Sequence, residues 1–231
     1  MKRSLALLAF LIVRTSAPAD LVIEQKLESP GQSATMTTLK MKGTRLRVDV
    51  QSPAGAVSSI MDIDTGDSLT LMHAQKSALR MSGAQTKEMI ETMRKKTGPA
   101  AEVAPAKPEA TGRTEKVGDY NTEVFTWKTV NGVQTLWVTK DLPDFAKVKE
   151  QFDKLSKSSA ANAQKGLTLD TAALPGVVVK TEMDAPGKKF TSTILSVKEE
   201  EIDATVFDAP ADYKETAKPE LPAPPPAAPA R

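Results

Sequence analysis

Through the first half of the chain, apolar and polar residues alternate one for one. Leu21, Ile23 and Leu27 keep this rhythm, as do Leu69 and Leu71. Leu46, Val48 and Val50 keep it most cleanly, set against Arg45, Arg47, Asp49 and Gln51. A period of two puts alternate side chains on opposite faces of a strand. Turn-forming residues interrupt the pattern at Pro30-Gly31, Lys42-Gly43, Pro53-Ala54-Gly55, Thr65-Gly66 and Ala74-Gln75. Six strands are therefore predicted, over 20–28, 33–41, 44–51, 57–63, 68–73 and 76–82. Turns this short join antiparallel neighbours, so the six should form a meander with one face covered and one wet.

The period then lengthens. Met89, Ile90 and Met93, set among Lys, Glu and Arg, predict a short helix over 85–96 that stops before Gly98-Pro99. Residues 97–112 are rich in Pro, Ala, Lys and Glu and predict a flexible excursion within the domain. Strand pattern resumes over 113–129 and, past the hairpin signal Asn131-Gly132, over 133–140. Trp127 and Trp137 flank that turn and are expected to pack across it. Asp141 offers an N-cap and Pro143 suits a first helical turn. Phe145, Val148, Phe152 and Leu155 then recur at helical spacing through a second helix over 143–158. A last hairpin is expected over 175–183 and 188–198, turned at Pro186-Gly187. The fold class is α+β: a curved antiparallel sheet of about ten strands, an incomplete β-barrel, with two covering helices.

The two ends of the chain read differently. Lys2 and Arg3 precede the apolar run Leu5 to Val13, and Ala17-Pro18-Ala19 supplies small residues before Asp20. That is the pattern of a signal peptide cleaved after residue 19, implying a periplasmic or secreted protein. Nine apolar residues cannot span a bilayer, which takes about 20. No Cys stands at the cleavage point for lipid attachment. The folded domain is expected over 20–213, and the Pro- and Ala-rich residues 214–231 as an extended tail.

Composition narrows the chemistry. Among 231 residues there are 31 Lys and Arg against 29 Asp and Glu, net +2. Removing Lys2, Arg3 and Arg14 leaves 28 basic against 29 acidic side chains, net −1, a poor match for nucleic acid. With Cys absent, disulfides, thiolate metal sites and thiol catalysis are excluded. His73 is the single histidine, which argues against zinc sites and leaves no second imidazole for acid–base work. Asp62, Asp64 and Asp67 resemble the start of a calcium loop, but Gly66 falls fifth rather than sixth and His73 occupies the twelfth position. Neither a metal nor a cofactor is expected, and no nucleophile elbow marks an enzyme.

Several stretches resemble an uncharacterised family of exported bacterial proteins, domain of unknown function 4412, near the periplasmic lipoprotein-carrier superfamily. They are Ala19–Lys26, Gly43–Asp49, the hairpin Asp62–Asp67, and Phe207-Asp208-Ala209-Pro210-Ala211-Asp212-Tyr213, similar to an F-x-x-P-x-x-Y close. The resemblance spans roughly residues 20–213. It implies a half-barrel whose apolar concavity is capped by helices. Those carriers begin with an amphipathic helix, whereas here a strand follows the cleavage site.

Two readings of function follow. In one, the concave face holds a lipid or other apolar ligand, lined by Leu46, Val48, Val50, Leu69 and Leu71 from the sheet and by Phe145, Val148 and Phe152 from the helix. Eight methionines besides Met1 could make such a cavity adaptable. In the other, the same side chains close a solid core, and the protein is an envelope structural or interaction module acting through its Pro-rich tail and the 97–112 excursion. An enclosed apolar volume of about 300 Å³ or more would separate the first from the second.

Overall fold

The computed structural model describes residues 20–52, 55–97, 107–129, 132–157, 171–185 and 188–216. The expected signal peptide, most of the excursion and the tail beyond Thr216 lie outside them. Six strands open the domain: β1 (Leu21–Glu28), β2 (Thr35–Lys42), β3 (Arg45–Ser52), β4 (Gly55–Asp62), β5 (Ser68–Met72) and β6 (Ser77–Met81). Helix α1 (Gly83–Thr97) follows, then β7 (Glu109–Val117), β8 (Tyr120–Thr129) and β9 (Gly132–Thr139). Helix α2 (Phe145–Ser156), β10 (Val177–Ala185), β11 (Lys188–Glu199) and the two-residue β12 (Lys214–Glu215) complete it.

All the strands form one sheet in the order β12-β6-β5-β4-β3-β2-β1-β11-β10-β9-β8-β7. Every pairing is antiparallel except β12 on β6. The described residues hold twelve strands where about ten were expected. One extra comes from 113–129, which is two strands: Gly118 takes a positive φ of 56° and turns the chain between β7 and β8. That pairing also draws Glu109–Gly112 out of the expected excursion and into β7. The other is β12, which starts where a tail was expected.

Side chains on the two faces are not sorted as a one-sided meander would sort them. Leu21, Met41 and Leu46 align across β1, β2 and β3 and bury toward α2, as do Ile23, Leu39 and Val48. Across β4 to β6 this face becomes mixed and none of its apolar residues is fully buried: Ser59 and Thr70 follow Val48 in one row, and Met61 and Ser68 follow Leu46 in the next. The buried apolar residues of β4 to β6, Ile60, Leu69, Leu71 and Ala78, lie on the other face, in the rows of Arg47 and Asp49.

Each apolar half-face has its own cover. Helix α2 buries Val148 completely and packs Phe145, Phe152 and Leu155 against the β1–β3 side, as their spacing requires. Its N-cap is Asp144, at a left-handed φ of 49°, and not Asp141. Asp141 instead accepts from the backbone and side-chain amides of Asn121, at 3.0 and 2.8 Å. Both expected helices are present; the described α1 side chains are exposed or half-buried, whereas α2 buries Val148 and Gln151.

On the opposite face the cover is residues 200–216, a strap that leaves β11 and crosses to the β6 edge. Phe207, 1% exposed, seats among Ile60, Leu69, Leu71, Ala78 and Ile202. At the strap's end, the amides of Lys214 and Thr216 donate to the carbonyls of Lys76 and Ala78, at 2.9 and 2.8 Å. The meander's second face is thus covered where it was expected to be wet. A third cluster, Phe125, Trp127, Leu136, Val138 and Leu174, also faces away from α2.

The two tryptophans do not meet. Trp127 pairs with Gln134 and belongs to this third cluster, whereas Trp137 pairs with Val124 and belongs to the α2 core. Thr129 pairs with Gly132, leaving a loop of two residues. Across such a loop two odd-numbered positions always fall on opposite faces. Replacing Phe207 by Ala is expected to cost about 3–5 kcal/mol and Tyr213 by Phe about 1 kcal/mol, read from urea unfolding at pH 7. A loss below about 1 kcal/mol for Phe207→Ala would detach the strap from the cooperative unit.

Candidate functional site

Two places combine polar chemistry with enclosure. The first is a cleft of about 200 Å³ between α2 and strands β1, β2, β10 and β11. Ile23, Leu39, Val177, Val179, Ile194 and Phe152 give it apolar walls. Gln25, Ser192, Thr181, Lys149 and Lys180 add polar atoms. Gln25 Nε2 donates to Ser192 Oγ, so this part of the wall is internally satisfied. Lys149 pairs with Asp153 at 2.5 Å. Lys180 pairs with Glu182 at 2.6 Å and lies 4.3 Å from the centre of the Trp137 ring. Gly176 also lines the cleft, and a side chain is excluded there because the Thr139 carbonyl oxygen would lie 2.3 Å from any Cβ.

The second is a hydrogen-bonded chain beneath the strap. Asp49, Ser58 and His73 come from β3, β4 and the 3-10 turn His73–Gln75, and Tyr213 comes from the strap. Ser58 Oγ donates its one proton to Asp49 Oδ1 at 2.5 Å. Its lone pairs then accept from Arg47 Nη2 at 2.9 Å and His73 Nε2 at 2.7 Å. This bonding assigns the His73 proton to Nε2, leaving Nδ1 to accept from the Tyr213 hydroxyl at 2.6 Å. Arg47 Nε donates to Asp49 at 2.7 Å, and its Nη1 donates to the strap carbonyl of Val206.

A serine beside an imidazole invites a nucleophilic reading, but the proton order is reversed. In an activated pair the hydroxyl donates to the imidazole and the carboxylate orients the ring. Here the carboxylate takes the serine proton, and Ser58 is 1% exposed. What this chain of bonds does is fasten the strap. Burial alone would raise the Asp49 carboxyl, but bonds from Ser58 and Arg47 and the charges of Arg47 and Lys40 outweigh it and hold it below its ordinary value.

The eight side chains expected to line one concavity are divided. Leu46 and Val148 are buried in the α2 core, with Val48, Phe145 and Phe152 half-buried against it. Of the eight, Phe152 alone also lines the cleft. Val50 shares that face but sits farther along, between Thr37 and Val57. Leu69 and Leu71 are a correction: their register with Ile60 and Ser58 puts them under the strap. The aspartates of the 62–67 hairpin hold the turn. Asp62 accepts from the amides of Asp64 and Thr65, and Asp67 accepts from the Gly83 amide.

A family model described as Domain of unknown function (DUF4412) matches residues 22–213. The chain belongs to this family. The matched span runs from β1 to Tyr213, so the family domain includes the strap and its F-x-x-P-x-x-Y residues. Among curated proteins none matches. An uncharacterized conserved protein from Thermus thermophilus is similar in fold, with TM-score 0.52 at 7% identity over 86% of this chain and 90% of that one. PNGF-II aligns at 14% identity with TM-score 0.43, over 87% of this chain and 32% of that one. A LolA superfamily protein from Nitrosomonas europaea aligns at 12% identity with TM-score 0.29, over 85% and 92%. The last two scores are too low to carry an argument about fold or function.

The depressed Asp49 carboxyl sets a direction for pH. Its contribution to stability is complete above the ordinary value of 3.8 and is lost as pH falls through the lower folded value. The urea midpoint is therefore expected to fall below about pH 4. Asp49→Asn should flatten that fall and cost about 2–3 kcal/mol at pH 7. An unchanged acid slope in Asp49→Asn would remove Asp49 from the account.

Proposed function

We propose that the chain is an exported, non-catalytic binding protein of the bacterial envelope, and that its ligand is an apolar chain such as a lipid acyl group. The cleft beside Phe152 carries this reading: its walls are apolar, and Lys149 and Lys180, paired with Asp153 and Glu182, are the cations of its lining that an anionic end group would meet. Its volume of about 200 Å³ is below the roughly 300 Å³ at which ligand pockets usually begin. As it stands the cleft admits the end of a chain, and deeper entry requires the C-terminal half of α2 to lift from the sheet. An acyl segment burying about 150 Å² there would gain roughly 4 kcal/mol, a millimolar affinity, so retention through purification requires the deeper entry.

A second reading has its own support. Val148 is 0% exposed and Leu46 is sealed beside it, so much of the expected concavity is already filled by the protein. On that reading the domain is an envelope interaction or structural module, with the Pro-rich residues after Thr216 as its working part.

Native mass spectrometry of mature protein taken gently from its own envelope fraction separates the two. A stoichiometric adduct of lipid mass is expected, and it should be lost in a Phe152→Glu variant whose circular dichroism remains that of the parent. A bare protein mass, with no uptake from an offered lipid mixture, would overturn the ligand reading in favour of the filled core. Retention of the adduct in folded Phe152→Glu would move the ligand out of this cleft.

A further inference from the structure

The strap is held in the manner of a bound peptide. It is fastened chiefly to the rest of the chain, and its internal bonds are short turns such as Val206 N to Asp203 O and Tyr213 N to Pro210 O. Two aromatic anchors, Phe207 and Tyr213, bracket a short stretch that ends in the Pro210–Tyr213 turn. Arg45 Nη2 captures the Phe207 carbonyl at 2.8 Å, and the last residues add to the β6 edge. These are the elements of β-strand addition: main-chain bonds for affinity and side-chain pockets for selection. Charge is matched as well, with Asp208, Asp212 and Glu215 of the strap paired to Arg45, Lys76 and Arg80 of the groove.

The groove cannot stand empty. Ile60, Leu69, Leu71 and Ala78 are each 4% exposed or less with the strap in place, and its departure would bare them to water. The link from β11 to the strap runs through Glu199, Glu200 and Glu201, with Glu200 and Glu201 exposed. Glu199 ends β11 and is paired with Lys147 at 3.1 Å, and the adjacent like charges of Glu200 and Glu201 favour an extended link over a compact one. All the contacts made between strap and groove can form equally between two chains.

We propose that this groove is a peptide site and that its partner in trans is the same acidic, aromatic-anchored segment of a second copy of the chain. Strap exchange then links copies through residues 202–216 while each groove remains filled. The inference is independent of the cleft under α2 and of any ligand there.

The absence of cysteine makes the test direct. Ser77 and Lys214 are paired positions of β6 and β12. Full-length Ser77→Cys and Lys214→Cys proteins, each with one cysteine, are refolded together at high concentration and oxidised. A Ser77→Cys to Lys214→Cys cross-linked heterodimer is expected, falling at least tenfold when the Lys214→Cys chain also carries Phe207→Ala. The double variant Ser77→Cys/Lys214→Cys should close the bond within one chain, as a check of geometry. Internal closure without any heterodimer would overturn the proposal, as would a heterodimer indifferent to Phe207→Ala. Failure of internal closure would also overturn it, because the strap would then not dock on β6.

Discussion

The architecture depends on a change of apolar face between β3 and β4. In β1 to β3 the residues that avoid water point at α2; in β4 to β6 they point the other way. A single sheet built like this cannot be stable with one cover, because each half would leave an apolar stripe in water. Helix α2 and the strap are therefore equivalent parts of one solution. One buries Val148 on the first half, and the other buries Phe207 on the second.

The change of face brings a polar problem with it. Arg47 shares a row with Ile60 and Leu69, so a guanidinium lies at the margin of an apolar cluster, only 15% exposed. A charge there requires a partner and saturated hydrogen bonding. Asp49 supplies the charge and accepts from Nε, and the Val206 carbonyl and Ser58 accept from Nη1 and Nη2. His73 and Tyr213 extend the same network to the strap. The bonds that satisfy a half-buried charge thus also fix the strap's position, coupling the polar and apolar demands of one face.

Much of this was legible in the sequence, and what was not has identifiable causes. The first six strands fall within two residues of their expected bounds, because period-two alternation and short turns are local signals. The α2 seam of Phe145, Val148, Phe152 and Leu155 was readable for the same reason. Misread were features that need register between strands. Leu69 and Leu71 carry the same alternation as Leu46 and Val48, and only the pairing of Ile60 with Leu69 shows that they face the other way. A hint was present: Ser59, Ser68 and Thr70 are too polar to continue the α2 face. The strap was visible only as a motif, because Phe207 and Tyr213 name anchors without naming what receives them. His73 stood out only as the single histidine, and its partners Ser58 and Tyr213 are brought to it from 15 and 140 residues away.

The order of the sheet has a consequence for how such a chain comes to be folded. The first six strands form a continuous meander, but neither of its edges is closed by anything nearby in sequence. Strand β1 pairs on its free side with β11, and β6 with β12. Both seals are delivered by the last part of the domain, so a growing chain carries two unpaired strand edges until the domain's closing residues are made. Unpaired edges invite pairing with the wrong neighbour. The protein is thus at its most sociable before its domain is complete, and the strap closes the fold at one flank of the sheet's first half just after β11 has closed the other.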